Sequence, residues 1–341
     1  MPKKNKSPGY AGEQLAFDLS SIQSAQSFEK LLDTLAEAEA QHDAEGALST
    51  LLDPKKAVVM SNRFVVGIES GSRFAHKISR IAIGDIPMNA DELPMTVISA
   101  DDIENMGFSR TRLTGHLNEV MDEILSYRIK IASMDRIQKD ARLTGINMFS
   151  QASIIPGKGA IIVGLNPALK EHFLHLRQDF TQYSLPVVTK MNSYAASKLH
   201  ELLLCRSRQY CHNLFRFHIE DLAVILNYKS KGPYKPSTFV NNVIKRAVAS
   251  INENTECRVT YRAVKSGREF KDIRFYVEPL GRTLEEKQEY IRWEEECLKD
   301  PAKKKVILGS RMEIESKLMT GEGELCPEDI PAEVSKTRKE V

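Results

Sequence analysis

Residues 237–252 read Ser237-Thr238-Phe239-Val240-Asn241-Asn242-Val243-Ile244-Lys245-Arg246-Ala247-Val248-Ala249-Ser250-Ile251-Asn252. Shortly after come Arg258-Val259-Thr260-Tyr261-Arg262-Ala263-Val264, Lys265-Ser266-Gly267-Arg268, and Phe270-Lys271-Asp272-Ile273-Arg274-Phe275-Tyr276-Val277. In the first part Phe239, Val243/Ile244, Ala247/Val248 and Ile251 recur at helical spacing, which predicts a helix with one buried stripe. Asn241, Asn242, Lys245 and Arg246 fall beside or opposite that stripe. Amide side chains can bond adenine edges, and cationic ones can bond guanine or phosphate. The second part predicts two strands, 258–264 and 270–277, joined by a tight basic turn at 265–268. A helix of this kind followed by a hairpin with a basic tip is the shape of a winged helix that grips duplex DNA.

Charge distribution agrees. The chain of 341 residues carries a formal net charge of only +2. Residues 187–280 hold +8 of it, residues 55–186 hold +2, and the ends are acidic, −5 over 1–54 and −3 over 281–341. A basic segment around the helix and hairpin is what phosphate binding asks of a domain. An apolar fraction of 42% is that of a globular protein, and the length favours two domains. No uncharged run reaches the roughly 18 apolar residues of a membrane span. The start, Met1-Pro2-Lys3-Lys4-Asn5-Lys6, lacks the apolar core of a signal peptide. Five cysteines at irregular spacing point to reduced thiols.

An internal echo organises the rest. Ile98-Ser99-Ala100-Asp101-Asp102-Ile103 matches the pattern of Phe217-His218-Ile219-Glu220-Asp221-Leu222. In both, a short strand ends and a helix opens with acids that complement its dipole, and Ser99 is a natural N-cap. Each unit is followed by an amphipathic helix, in the first copy over 109–125, and then by a hairpin. The first hairpin is expected over 146–155 and 160–165, turning at Pro156-Gly157-Lys158-Gly159. A helix over 193–206 opens the second copy, and 176–186 forms the joint between the copies. A repeat this long is a duplicated domain, not a solenoid. The expected fold is α+β: an N-terminal helical arm (1–54), a first winged-helix domain (55–186), a second (187–280), and a charged, partly disordered tail (281–341) with a helix at 284–298.

The chain resembles the iteron-binding plasmid replication initiators of the Rep_3 (RepA/RepB/RepE) family, proteins built of paired winged helices. Val58-Val59-Met60-Ser61-Asn62 looks like the family's opening strand, and 98–103 like its first helix-turn-helix. Phe180-Thr181-Gln182-Tyr183 resembles its interdomain F-T-x-Y segment. Ser193-Tyr194-Ala195-Ala196-Ser197-Lys198-Leu199-His200-Glu201-Leu202-Leu203 resembles its S-x-Y-x-x-x-L-Y-E-L-L, with His200 where the family often has Tyr. The helix and hairpin of 239–268 match its second recognition helix and wing. The resemblance covers about 56–278, so nothing it implies transfers to the arm or the tail.

It implies a bacterial, cytoplasmic, non-enzymatic initiator without cofactor or metal. Such a protein binds directly repeated origin sites (iterons) as a monomer. As a dimer, joined mainly through the first domain, it binds an operator and represses its own gene. The implied partners are duplex DNA, a second copy, the host initiator DnaA, the replicative helicase and dimer-dissociating chaperones. On that basis Asn241, Asn242, Lys245 and Arg246 are assigned to bases, and Lys265, Arg268 and Lys271 to phosphate. In the first domain Arg110, Thr111, Arg112 and Thr114 are candidates for the same work, with Lys158 on its wing.

Three rivals remain open. A winged-helix repressor without an initiation role shares all this DNA chemistry. A rolling-circle relaxase would use a Tyr nucleophile such as Tyr183 and paired histidines, for which His172 and His175 stand at the wrong spacing for a strand. A metal-dependent regulator would use His200, Cys205, Cys211 and His212, whose spacing matches no usual zinc pair. Gly157-Lys158-Gly159 lacks the spacing of a phosphate-binding P-loop and reads as a hairpin turn.

Overall fold

The computed structural model describes residues 56–134, 141–155, 159–210, 213–230, 232–281 and 284–324. The chain divides into two compact units, Met1–Ala47 and Leu48–Val341. The first, with the arm expected over 1–54, lies outside the described residues, as does 325–341. All that follows concerns the second unit.

Strand β1 (Ala57–Ser61) runs into the short helix α1 (Asn62–Val65), strand β2 (Ile68–Ser70) and helix α2 (Arg73–Gly84). Strand β3 (Met95–Ile98) leads into α3 (Ala100–Asn105) through the capping box expected of Ser99. Ser99 Oγ accepts from Asp102 N at 3.1 Å, and Asp102 Oδ2 accepts from Ser99 N at 3.0 Å. The single helix expected over 109–125 is broken. It forms as α4 (Arg112–Gly115) and α5 (Leu117–Leu125), with His116 between them at φ −132°, ψ 44°. Gly115, a poor helix former, sits at the break.

The strand expected over 146–155 is also divided. β4 (Arg128–Met134) and β5 (Ala141–Asn147) make a hairpin of their own, which joins β2 in a sheet of order β2-β4-β5. Met148, fully buried, turns the chain into a second sheet. There β6 (Phe149–Ile155) and β7 (Ala160–Leu165) form the expected wing, and β3 pairs with β7. The alternation runs on through Met148, so sequence alone does not mark the change of sheet.

A 3₁₀ turn (Pro167–His172) leads to β8 (Phe180–Ser184). The expected joint over 176–186 therefore contains a strand. β8 pairs antiparallel with β1, Ala57 opposite Ser184 and Ser61 opposite Phe180. Helices α6 (Leu185–Lys190) and α7 (Tyr194–Tyr210) follow, and then the second copy repeats the plan of the first. It holds β9 (Leu214–His218), α8 (Ile219–Ile225), a helix in three parts over 236–254, β10 (Cys257–Ser266) and β11 (Glu269–Pro279). The three-part helix comprises α9 (Pro236–Phe239), a π-turn (Val240–Ile244) and α10 (Lys245–Asn254). The sheet order β10-β11-β9 repeats β6-β7-β3. Two more helices close the described chain. α11 (Leu284–Cys297) was expected; α12 (Pro301–Thr320) was not. No helix among the described residues is long and apolar enough to cross a membrane.

One apolar core runs from Val58 to Val277 through both copies. Where α2 and β8 meet α7 lies a buried polar cluster. Arg80 on α2 donates to Glu69 Oε1 at 2.7 Å and, through Nε and Nη2, to both oxygens of Glu201 on α7 at 2.7 Å. Lys198 Nζ donates to Glu69 Oε1 at 2.5 Å, and Tyr183 of β8 donates to Glu201 Oε1 at 2.6 Å. Tyr127 also donates to Glu69, and His76 Nδ1 lies 3.0 Å from Glu69 Oε2. Burial alone pushes the Glu69 and Glu201 carboxyls up. Arg80, with Lys198 and His76 beside Glu69 and His76 beside Glu201, together more than offset this and hold both below the ordinary carboxylate range. Burial, with Arg80 nearby, pushes the His76 imidazole down. The first copy is thus tied to α7 by paired buried charge, and the β1–β8 pair closes its beginning onto its end.

Candidate nucleic-acid interface

The recognition helix of the second copy is placed by its buried side. Phe239, Val240, Ile244, Ala247, Val248 and Ile251 are all buried. Between them Asn241, Asn242, Lys245 and Arg246 are all exposed. The π-turn sets the two exposed pairs on either side of Val243-Ile244. Lys245 N donates to Val240 O, five residues back, which is the wide turn's hydrogen bond. Such turns recur at functional sites, and residue spacing did not reveal this one.

The helix is tied to its wing at the far end. Asn252 donates through Nδ2 to Val259 O at 3.0 Å and accepts from Val259 N at 2.6 Å. Lys287 of α11 then donates to three carbonyls, those of Asn252, Thr255 and Cys257, at 2.5, 2.7 and 2.6 Å. An ammonium at a helix C-terminus satisfies orphan carbonyls and complements the dipole. This buttress lies outside the 56–278 stretch that carried the resemblance, and sequence reading missed it.

The wing is a tight ribbon. Ser266 pairs with Glu269, so Gly267 and Arg268 alone make the turn. Gly267 sits at φ 70°, the conformation that a two-residue hairpin turn requires at its first position. Lys265, Arg268 and Lys271 are exposed at and beside this tip, with Lys265 Nζ 5.2 Å from the Phe270 ring centroid. Among the described residues, no ion pair or side-chain hydrogen bond engages Asn241, Asn242, Lys245, Arg246, Arg268 or Lys271. Three more cations of the second copy are exposed. Arg262 projects from β10, and Lys229 and Lys235 flank the turn that leads into the recognition helix. That turn has no periodicity to draw notice, but its position before α9 was legible from the helix start.

The first copy differs. Arg110 is exposed but paired with Asp101 and, at 2.7 Å, with Glu104. Arg112 is half-buried, paired with Glu123, and its guanidinium lies 4.6 Å from the Phe74 ring centroid and 5.6 Å from that of Phe108. Thr111 is exposed and shares a hydrogen bond with Ser109 at 2.8 Å. The side chain of Thr114, and the whole of Lys158, lie outside the described residues. The first set is brought together around one turn, but its arginines are committed to the protein's own acids and rings.

The rival sites have other surroundings. Tyr183 is buried, its hydroxyl held by Glu201, and burial pushes its pKa well up. His172 is buried with Nδ1 2.8 Å from Ser61 Oγ, whereas His175 is exposed 3.2 Å from Asp91. Cys205 is buried in α7, and Cys211 and His212 lie outside the described residues. No group of three or more His, Cys, Asp or Glu among the described residues is arranged to hold a metal.

Comparison with known proteins places this geometry. The family model "Initiator Replication protein, WH1" matches residues 57–204, and "Initiator Rep protein, WH2" matches 218–277. No curated protein matches the chain. Among solved structures, the Pi initiator protein in complex with iteron DNA superposes with a TM-score of 0.52 at 16% identity. The match covers 66% of this chain and 98% of that one. With both winged-helix models matched in order over more than half its length, the chain belongs to the replication initiator family.

Proposed function

We propose that this initiator binds directly repeated duplex sites, iterons, at the plasmid origin as a monomer. Its recognition helices enter major grooves and its wings brace flanking phosphates. The observation that carries the reading is the exposed set Asn241, Asn242, Lys245 and Arg246 beside the cationic tip Lys265, Arg268 and Lys271, none held by an ion pair within the described fold. The second domain then supplies the main base readout. The first, whose Arg110 and Arg112 already have acidic partners, adds positioning contacts through Arg110, Thr111, Thr114 and Lys158. The chain makes and breaks no covalent bonds. Origin melting follows from bending by several protomers, at a cost of about 1–6 kcal/mol per 20–30 bp site, which added contacts repay.

The dimer that represses its own gene forms through the first domain. The open edge of β5 supports this: seven residues at the rim of its sheet, with Leu143 exposed. DnaA, the replicative helicase and chaperones are the expected host partners in the bacterial cytoplasm.

Gel-shift titration tests the division of labour. Arg246→Ala should cost about 1–3 kcal/mol on the true repeat and relax preference at one base position. Lys271→Ala should weaken all sequences alike and flatten the salt slope by about one. Equal losses on true and scrambled sites for both variants would refute the assignment. A plasmid carrying only this gene and its neighbouring repeats separates initiator from plain repressor, since only the former replicates it.

A further inference from the structure

The recognition helix runs from Pro236 to Asn254 and is α-helical except at the wide turn, Val240–Ile244. A turn closed by a bond to the fifth residue back holds one residue more than the α turn it replaces. Residues on either side of it therefore relate as though one fewer separated them. Burial agrees. In an unbroken α-helix, at about 100° per residue, Phe239 and Ile244 would stand about 140° apart. Across the wide turn they relate as residues four apart do, about 40°, and both are fully buried. Phe239 also meets the Tyr228 ring, centroids 5.1 Å apart, which fixes the rotation of the helix start.

The wet side is reset in the same way. Ser237, Asn241 and Lys245 follow one another at intervals of four, as do Thr238, Asn242 and Arg246. In an unbroken α-helix the two ends of each triplet would slip about 80° out of line. With one residue taken up by the wide turn, Ser237 and Lys245 relate as residues seven apart, about 20° from a common line, and so do Thr238 and Arg246. Ser237 gives an independent sign. An unbroken helix would set it in line with Ile244, seven residues on, and so on the buried stripe. Instead Ser237 is exposed while Ile244 is fully buried.

Two straight polar rows result, Ser237-Asn241-Lys245 and Thr238-Asn242-Arg246. Thr238 is half-buried and the other five are exposed. Among the described residues, no side-chain hydrogen bond engages the hydroxyl of Ser237 or of Thr238. At 1.5 Å per residue each row spans about 12 Å, the stacking length of roughly three to four base pairs. Hydroxyls can bond base edges of either kind in the major groove. Rows that keep to one line stay turned toward those edges, whereas rows slipping by about 80° would leave the groove at one end.

We propose that Ser237 and Thr238 are specificity-determining residues, brought by the wide turn into the same two rows as the asparagines and cations and reading the base pairs next to theirs. This rests on the base readout proposed above and extends it by one helical turn. The one additional residue of the wide turn is what faces the helix start to the bases while Phe239 stays in the core.

Gel-shift titration of the full chain tests it, on duplex bearing the direct repeat beside the gene and on a panel of single-base changes in that repeat. Ser237→Ala and Thr238→Val should each bind the repeat about three- to tenfold more weakly, the loss of one hydrogen bond. Each should cease to discriminate at one base position, adjoining those relaxed by Asn241→Ala and Asn242→Ala. The salt slope should hold at its wild-type value, because neither change removes a charge. Full discrimination in both variants, beside its loss in Arg246→Ala, would end the rows at the asparagines and overturn the proposal while the base readout stands. Equal weakening on every sequence would overturn it as well, since the hydroxyls would then touch phosphate alone. Discrimination kept by Arg246→Ala too would bring down the base readout itself, and the rows with it.

Discussion

Arg246 and Arg112 carry the same charge in the same kind of motif, and only their neighbours set them apart. Arg246 has no acid or ring to hold it, whereas Arg112 is gripped by Glu123 and by the faces of Phe74 and Phe108. Cation–π contacts are worth about 0.5–2 kcal/mol each. Arg112→Ala should therefore destabilise the first domain by about 1–3 kcal/mol in urea titrations, and Arg246→Ala should leave stability unchanged. If Arg112→Ala melts like wild type yet loses DNA affinity, the side chain belongs to the interface after all. Sequence assigned both arginines by one rule, a cation on the wet face of a helix. It had no means of seeing Phe74, distant in the chain, close over one of them.

Elements were legible where one periodicity ruled. The duplicated strand–helix pattern, the Ser99 cap and the 257–279 ribbon follow from alternation, capping residues and the Gly267 turn. α12 escaped because apolar and small residues line two opposed faces of it, and the two signals cancel. The helix expected over 109–125 breaks where Gly115 weakens it. The Lys287 buttress was hidden because a lysine on a charged helix looks solvated until its three carbonyl partners are seen. Lys287→Met should leave those carbonyls bare and cost about 1–3 kcal/mol, with faster amide exchange at 252–257 than elsewhere in the second domain. Gly309→Ala should raise helix stability by about 0.5–1 kcal/mol, read as a higher midpoint in thermal unfolding.

For the whole molecule the buried cluster sets the response to acid. Glu69 and Glu201 have depressed folded pKa values, so the stability they confer is complete above the unfolded carboxylate value near 4.3 and is lost as pH falls through the folded values. His76 is also depressed. Below its unfolded value near 6.5 the unfolded chain binds a proton that the folded one refuses, which again lowers stability as pH falls. His172, buried and likewise depressed, adds to the same loss, so urea midpoints should decline in two stages, first below about pH 6.5 and again below about pH 4.3, and His76→Gln should shrink the first stage. Arg80→Met leaves Glu201 buried without its cation while Glu69 keeps Lys198, and should cost about 3–5 kcal/mol, with the loss smaller when Glu201→Gln accompanies it. Motif order made the pairing of two winged helices readable. The tie between α2 and α7 was not readable, because Glu69, Arg80 and Glu201 are scattered in sequence and each looks like an ordinary surface charge.

The strand pair β1–β8 bears on where this molecule can be cut. The exposed stretch from His175 to Asp179 offers trypsin a site at Arg177, yet β1 on one side of the nick is laced to β8 on the other, and Arg80 grips Glu201 across it. The two pieces should elute together from a sizing column in buffer and part only in denaturant. A protease map that counts bands on a denaturing gel would report two separable halves where the native molecule keeps one undivided body.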